Sequence, residues 1–212
     1  ARHNMVEQQI RPWNVPDQRV LETISQIPRE AFVPREFLNL AYAEINIDLG
    51  HGQVMMTPAV EARLLQAAGV HADDKILEIG TGSGYFTALL ATMGGHVYSV
   101  EIIPELQQRA REHLAGQGID NVTLEEGDGA CGWSRYAPYD LIVITGSLPL
   151  LPESFQQSLA PGGRLIAIVG ESPVMEAHLI TAEGQDNYRE RYLFNTEIPP
   201  LINAPRPERF QL

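Results

Sequence analysis

The sequence predicts an α/β domain built on a mostly parallel sheet, and three observations carry that expectation. From residue 75 onward short apolar runs alternate with helical patterns: KILEIG, YFTALLATMG, HVYSVE, PELQQRAREHLAGQG, NVTLEEGD, DLIVITG, LPESFQQSLAPGG and RLIAIVG. Strands alternating with helices of this length read as βαβ units, which bring their strands side by side and parallel. The first run ends in three glycines within five residues, Gly80, Gly82 and Gly84, where the backbone turns tightly from strand into helix and a ligand can lie against it. Last, EAHLITAEGQDNYRERYLFNTEI reads as two strands around a Glu-Gly turn, an antiparallel addition at one sheet edge.

Ahead of this core the chain reads as helical. PDQRVLETISQI sets Val20, Leu21, Ile24 and Ile27 at helical spacing, with Asp17 at its start and Pro28 ending it. FVPREFLNLAY is expected to continue as helix. In PAVEARLLQAAG, Thr57 is the expected N-cap, Pro58 takes the first helical position and Gly69 lies near the end, so GHGQVMM falls just before a helix N-terminus. LPESFQQSLAPGG is expected to be a helix closed by its Pro-Gly-Gly turn. No repeat or low-complexity tract interrupts the chain.

Composition narrows the function. The 212 residues suffice for one sizeable core, and no apolar run approaches the roughly 18 residues of a membrane helix. The segment ARHNMVEQQIRPWNV has neither the apolar stretch nor the small-residue cleavage site of a secretory signal, and Cys131 is the single cysteine, so a reducing cytoplasm is the expected location. A net charge of -12 with one lysine, Lys75, leaves no phosphate-neutralising surface, so nucleic acid is not an expected partner. The six histidines are scattered without metal-ligand spacing, and no metal is expected.

Chemistry concentrates in ILEIGTGSGY. A phosphate-binding P-loop needs Gly-Lys-Ser/Thr, which is missing, and in the dinucleotide pattern GxGxxG the third glycine falls on Tyr85. The turn is instead GxGxG, formed by Gly80, Thr81, Gly82, Ser83 and Gly84, with Glu78 just before it. A second carboxylate, Glu101, ends the next strand 23 residues later, where a carboxylate can accept both ribose hydroxyls. Asp128, between two glycines after the third strand, is placed to meet an adenine edge with its side chain or with neighbouring amides. An acid-lined rim without lysine suits a cationic, phosphate-free nucleoside, of which S-adenosyl-L-methionine is the common example.

LEIGTGSGY, VYSVE, GDG, YDLIVITG and LAPGGRL resemble the ordered motifs of seven-stranded, Rossmann-like S-adenosylmethionine-dependent methyltransferases. More narrowly, MVEQQI, PREAFVP, LGHGQ, EIGTGSGY, VYSVEIIPEL, GDG and APYDLIV resemble the protein-L-isoaspartate O-methyltransferase family, in register from about Met5 to about Gly170. The resemblance implies a protein-repair enzyme, expected as a monomer, that methylates the abnormal α-carboxylate of L-isoaspartyl residues in damaged proteins or peptides and releases S-adenosyl-L-homocysteine. It implies a cap and substrate loop over residues 1–57 and a methyltransferase core over 58–212, within one structural domain. It also assigns Glu78, Gly80, Thr81, Gly82, Ser83, Gly84, Glu101, Ile102, Asp128, Gly129 and Thr145 to the cofactor, and Gln53, Met56 and Thr57 to the catalytic positions on the acceptor side.

The likeness departs from the family at the acceptor loop. Where the family loop resembles GxGQTISxP, this chain keeps Gly50, Gly52, Gln53 and Pro58 but carries Val54 for the threonine and Met56 for the active-site serine. A thioether donates no hydrogen bond. The family's TAAAP becomes Thr145–Pro149, and its C-terminal RFVPL is shortened to Arg209–Leu212. Two alternatives stay open on these departures: methylation of another acceptor, such as a small apolar acid or phenol, and a cofactor-binding module without catalysis. Because the methionines stand where the family presents its hydroxyl, the Met56 side chain is expected to line the acceptor pocket and not the helical core.

Overall fold

The computed structural model describes residues 1–184 and 186–207, so the Arg209–Leu212 segment lies outside the described residues. Strands β1 (Ile47–Gly50) and β2 (Gln53–Met55) form a small antiparallel hairpin. The main sheet comprises β3 (Lys75–Ile79), β4 (His96–Glu101), β5 (Val122–Glu126), β6 (Tyr139–Leu148), β7 (Leu159–Glu171), β8 (Val174–Gly184) and β9 (Asn187–Thr196). Its order is β5-β4-β3-β6-β7-β8-β9, a seven-stranded sheet. Pairings from β5 across to β7 are parallel, while β8 and β9 add antiparallel at one edge. This is the mostly parallel α/β sheet with an antiparallel edge that the alternating pattern and the closing hairpin predict, and it is the Rossmann-like methyltransferase architecture that the resemblance implies.

The central strands are buried on both faces, and their side chains alternate between two cores as the period of two requires. Leu141 and Val143 of β6, with Ile166 and Ile168 of β7, join the core that also holds Met5, Ile10, Leu21 and Ile24 of the N-terminal segment. Ile142, Ile144, Leu165 and Ala167 point to the opposite core, around Tyr139 and Phe155. The N-terminal segment is thus packed into the same core as the sheet.

Helices α1 (Arg2–Asn4), α2 (Gln18–Gln26), α3 (Pro58–Ala68), α4 (Tyr85–Met93), α5 (Pro104–Gly116) and α6 (Glu153–Gln157) complete the structure. Asp17 caps α2, its carboxylate accepting from the Arg19 N–H at 2.9 Å, and Thr57 caps α3, accepting from the Val60 N–H at 3.4 Å. Two helical expectations are corrected. FVPREFLNLAY forms no α-helix: Pro28 and Pro34 each lack an N–H and push the residue before them out of the α region, leaving 3₁₀ turns over Arg29–Phe32 and Arg35–Leu40. The helix in LPESFQQSLAPGG spans only Glu153–Gln157, because Leu159 already pairs with Tyr139 and the chain rejoins β6 after a register shift around Gly162.

Strand order reverses between β3 and β6, since the chain moves outward from β3 through β4 and β5 before returning to β6. In open α/β sheets, ligands bind outside the carboxyl ends of strands at this point.

Candidate active site

A cleft opens at the carboxyl ends of β3, β4 and β6. Its lining brings together most of the residues the sequence singles out: Gln53 from the hairpin and Met56 just after it, Gly80, Thr81, Gly82 and Ser83 from the turn, Glu101 and Ile102, Asp128 and Gly129, and Thr145. Three expected residues stand outside it. Thr57 serves as the α3 cap, Glu78 is buried on β3 ahead of the turn, and Gly84 ends the turn outside the lining.

The three glycines of the turn answer to different constraints. All have positive φ, at 96°, 55° and 85° for Gly80, Gly82 and Gly84, where a side chain is strained. A Cβ at Gly80 would collide with the Thr145 hydroxyl, which bonds the Ile79 and Gly80 carbonyls at 2.9 and 2.5 Å. At Gly84 a Cβ would lie 3.1 Å from the Ala110 Cβ, so this glycine admits α5 against the start of α4.

Glu101 is 5% exposed and held from both sides. Its Oε2 accepts from the Gly82 N–H at 2.8 Å and its Oε1 from the Ile103 N–H at 3.0 Å. Each oxygen keeps further acceptor capacity for a donor in the cleft. Asp128 is fixed similarly, Oδ1 accepting from the Ala130 N–H at 3.0 Å and Oδ2 from Asn203 Nδ2 at 2.8 Å.

Glu78 acts at one remove. Its Oε2 accepts from Thr87 at 2.5 Å and from Ser99 at 2.6 Å, and Ser99 in turn lies 2.6 Å from the Thr81 hydroxyl of the turn. Burial raises its pKa to about 8, against the lowering pull of those two hydroxyl donors. Ser99 thereby links this buried carboxyl to the glycine turn.

Met56 is 4% exposed, packs within the apolar core and also lines the cleft, so packing and pocket lining coincide at this residue. Its carbonyl accepts from Arg29 Nη2 at 2.6 Å. Arg29, fully buried, also pairs with Glu61 of α3, and Glu61 lines the cleft beside Gln53 and Met56.

That buried pair went unrecognised in the sequence, although a signal was present. Glu61 shares its helical stripe with Leu64, Leu65 and Ala68, an acid on an otherwise apolar buried face. A second omission is the strap after β9. Ser147 donates to the Pro199 carbonyl and accepts from the Leu201 N–H, both at 3.0 Å, which lays Leu201 and Ile202 along the cleft. PPLINAP carries no periodicity that would reveal it.

Among the described residues, the lining includes the carboxylates Glu61, Glu101 and Asp128 and no Lys, Arg or His. Together, fold and cleft define an α/β nucleoside-binding domain of the methyltransferase class, with a rim that fits a cationic ligand and opposes phosphate. Residues 1–203 match the family described as protein-L-isoaspartate(D-aspartate) O-methyltransferase, and the chain belongs to it. Its relatives include the protein-L-isoaspartate O-methyltransferase of Protochlamydia amoebophila, 39% identical over 93% of this chain and 95% of the other. The protein of that name from Myxococcus xanthus is 46% identical over 74% of each. A solved protein-L-isoaspartate O-methyltransferase superposes with a TM-score of 0.82 at 26% identity, covering 94% of this chain and 65% of that longer one. A Plasmodium falciparum structure in complex with S-adenosyl-L-homocysteine also gives 0.82 at 20% identity, a likeness of fold.

Proposed function

We propose that this chain transfers the methyl group of S-adenosyl-L-methionine to the free carboxylate of isoaspartyl residues in damaged proteins. The observation that carries the reading is the single cleft that joins the glycine turn and Glu101 to the Gln53–Met56 loop, in a chain that matches the family over residues 1–203. When bound, the cofactor supplies an electrophilic sulfonium methyl and departs as the neutral thioether S-adenosyl-L-homocysteine.

The protein's part is positioning. Glu101, locked by two backbone N–H groups, would accept from the ribose hydroxyls, and the turn from Gly80 to Ser83 would lie along the amino-acid end. Asp128 and the Gly129 segment would meet the adenine. On the acceptor wall Gln53 supplies the neutral donor, with Val54, Met55 and Met56 excluding water. The acceptor carboxylate is already ionised near neutral pH, with a reference pKa of roughly 3.3 to 3.9, so the site needs no general base. Holding it in line with the methyl is most of the task.

A tritiated-methyl transfer assay comparing an isoaspartyl peptide with its aspartyl twin tests the reading. Label in the isoaspartyl peptide alone is expected. An inert peptide alongside labelled small molecules from a cell extract would overturn the assignment.

A further inference from the structure

We propose that Arg29 and Glu61 are a positioning pair that holds the acceptor loop against the cleft, and that this hold requires Glu61 to be ionised. The proposal rests on the reading above only in taking the Gln53–Met56 wall as the acceptor side.

The Arg29 guanidinium joins segments that are far apart in sequence. Its Nε donates to the Ala41 carbonyl at 2.9 Å, Nη1 pairs with Glu61, and Nη2 donates to the Met56 carbonyl at 2.6 Å. It also lies 4.9 Å from the centroid of the Tyr85 ring, at the start of α4. Met56 is the residue between β2 and the cap of α3, so fixing its carbonyl fixes where the hairpin ends and the helix begins.

Packing alone does not call for this arrangement. A buried ion pair is commonly no more stabilising than apolar side chains of similar volume, whereas loss of one partner leaves a costly unpaired charge. What the pair adds is direction, since a planar guanidinium with fixed donors aims at one carbonyl and one carboxylate together. Glu61 is also among the residues lining the cleft, so the loop's anchor borders the space that the loop bounds.

The charge state of Glu61 is set by its surroundings. Burial raises its pKa to about 7, Arg29 opposes the rise, and Glu44 adds to it. The other titratable groups whose charges couple to it are Tyr85 on α4 and Glu78 on β3. Above this pKa the ionised carboxylate completes the anchor. Below it, Arg29 loses its counter-charge and its aim at Met56 weakens.

Hydrogen–deuterium exchange of residues 53–57 in the full chain tests this, measured at about pH 8 and about pH 6 and corrected for intrinsic exchange. Wild type should lose protection about tenfold at the lower pH, the worth of one charge-assisted hydrogen bond. Glu61→Gln keeps an oxygen for Arg29 but cannot ionise, so its loop should be loosened at both pH values without a step between them. In the transfer assay it should raise the KM for peptide while kcat changes little. A flat wild-type profile overturns the proposal even if the variant does not fold, and an equal step in both proteins would assign the effect to Glu44 or Glu78 instead. Because exchange needs no turnover, a pH-dependent loop in a protein inert toward isoaspartyl peptide would defeat the functional reading alone.

Discussion

Replacing Glu101 with glutamine is the most direct probe of the cofactor reading, because it removes charge while nearly preserving shape. In the wild type both carboxylate oxygens accept a backbone N–H, from Gly82 at 2.8 Å and from Ile103 at 3.0 Å. A glutamine amide can satisfy only one of these, and its NH2 group then opposes the other. An unsatisfied buried donor costs about 1 to 3 kcal/mol, which should appear as a lowered Tm. Binding loses a charged acceptor as well, worth about 1.5 to 3 kcal/mol, so affinity for S-adenosyl-L-homocysteine should fall by roughly ten- to a hundredfold. The cationic S-adenosyl-L-methionine should suffer more than the neutral product, since it also loses a Coulombic partner. Titration calorimetry with both ligands, beside thermal melts, separates these terms. Unchanged affinity for both ligands, with or without a lowered Tm, would refute the assignment of Glu101 to the cofactor.

Three further outcomes are expected. Glu78→Gln should flatten stability against pH: a folded pKa of about 8 against an ordinary 4.5 means stability present below about 4.5 and lost as pH rises through 8, up to about 5 kcal/mol at 1.4 kcal/mol per unit. Urea melts of both proteins between about pH 5 and pH 8 check it. Gly146→Ala would place a Cβ 2.6 Å from Leu201 Cδ2 and 3.1 Å from the Leu201 backbone nitrogen, displacing the strap, with a stability loss of about 1 to 3 kcal/mol and weaker cofactor binding by calorimetry. Met56→Ser should cost about 2 to 5 kcal/mol, because the thioether is buried in the core, and any gain in peptide methylation from the new hydroxyl would have to appear against that loss in paired melts and assays.

The fold was legible because its determinants are local and periodic. Two-sided burial made the central strands read as unbroken apolar runs, and Asp17 and Thr57 announced their helices through cap chemistry. The two misread segments fail for a common reason: in Pro28–Leu40 and in LPESFQQSLAPGG a helical composition is overruled, by proline sterics in one and by early strand pairing in the other. In the site, motif residues on the rim were readable from spacing. Gly84 was assigned to the cofactor because its spacing is right, yet its tightest neighbour is Ala110 on α5, a contact that no local pattern encodes. The Arg29–Glu61 pair spans 32 residues of sequence, and the strap lies on the rim only through its bonds to Ser147.

The electrostatics of the cleft bear on how a methionine can stand where the family resemblance expects a hydroxyl. A sulfonium cofactor and a carboxylate acceptor are opposite charges that must approach along one line, so the protein has little need to draw them together. A free guanidinium in the cleft would do harm twice over, repelling the sulfonium and binding the acceptor carboxylate as an ion pair that lowers its nucleophilicity. Arg29 is prevented from doing either, because it is buried behind the lining and its donors are taken by Glu61 and by the Ala41 and Met56 carbonyls. What remains at the proposed acceptor wall, beside the Arg29-paired Glu61, is the Gln53 amide set among Val54, Met55 and Met56. A neutral donor orients a carboxylate with less stabilisation of its ground state than a charged one, and an apolar wall strengthens its Coulombic attraction to the cation across the gap. On this argument the thioether substitutes shape and low dielectric for a hydroxyl's hydrogen bond, so acceptor selectivity should depend more on the fit of the groups flanking the carboxylate than on hydrogen bonding to the carboxylate itself.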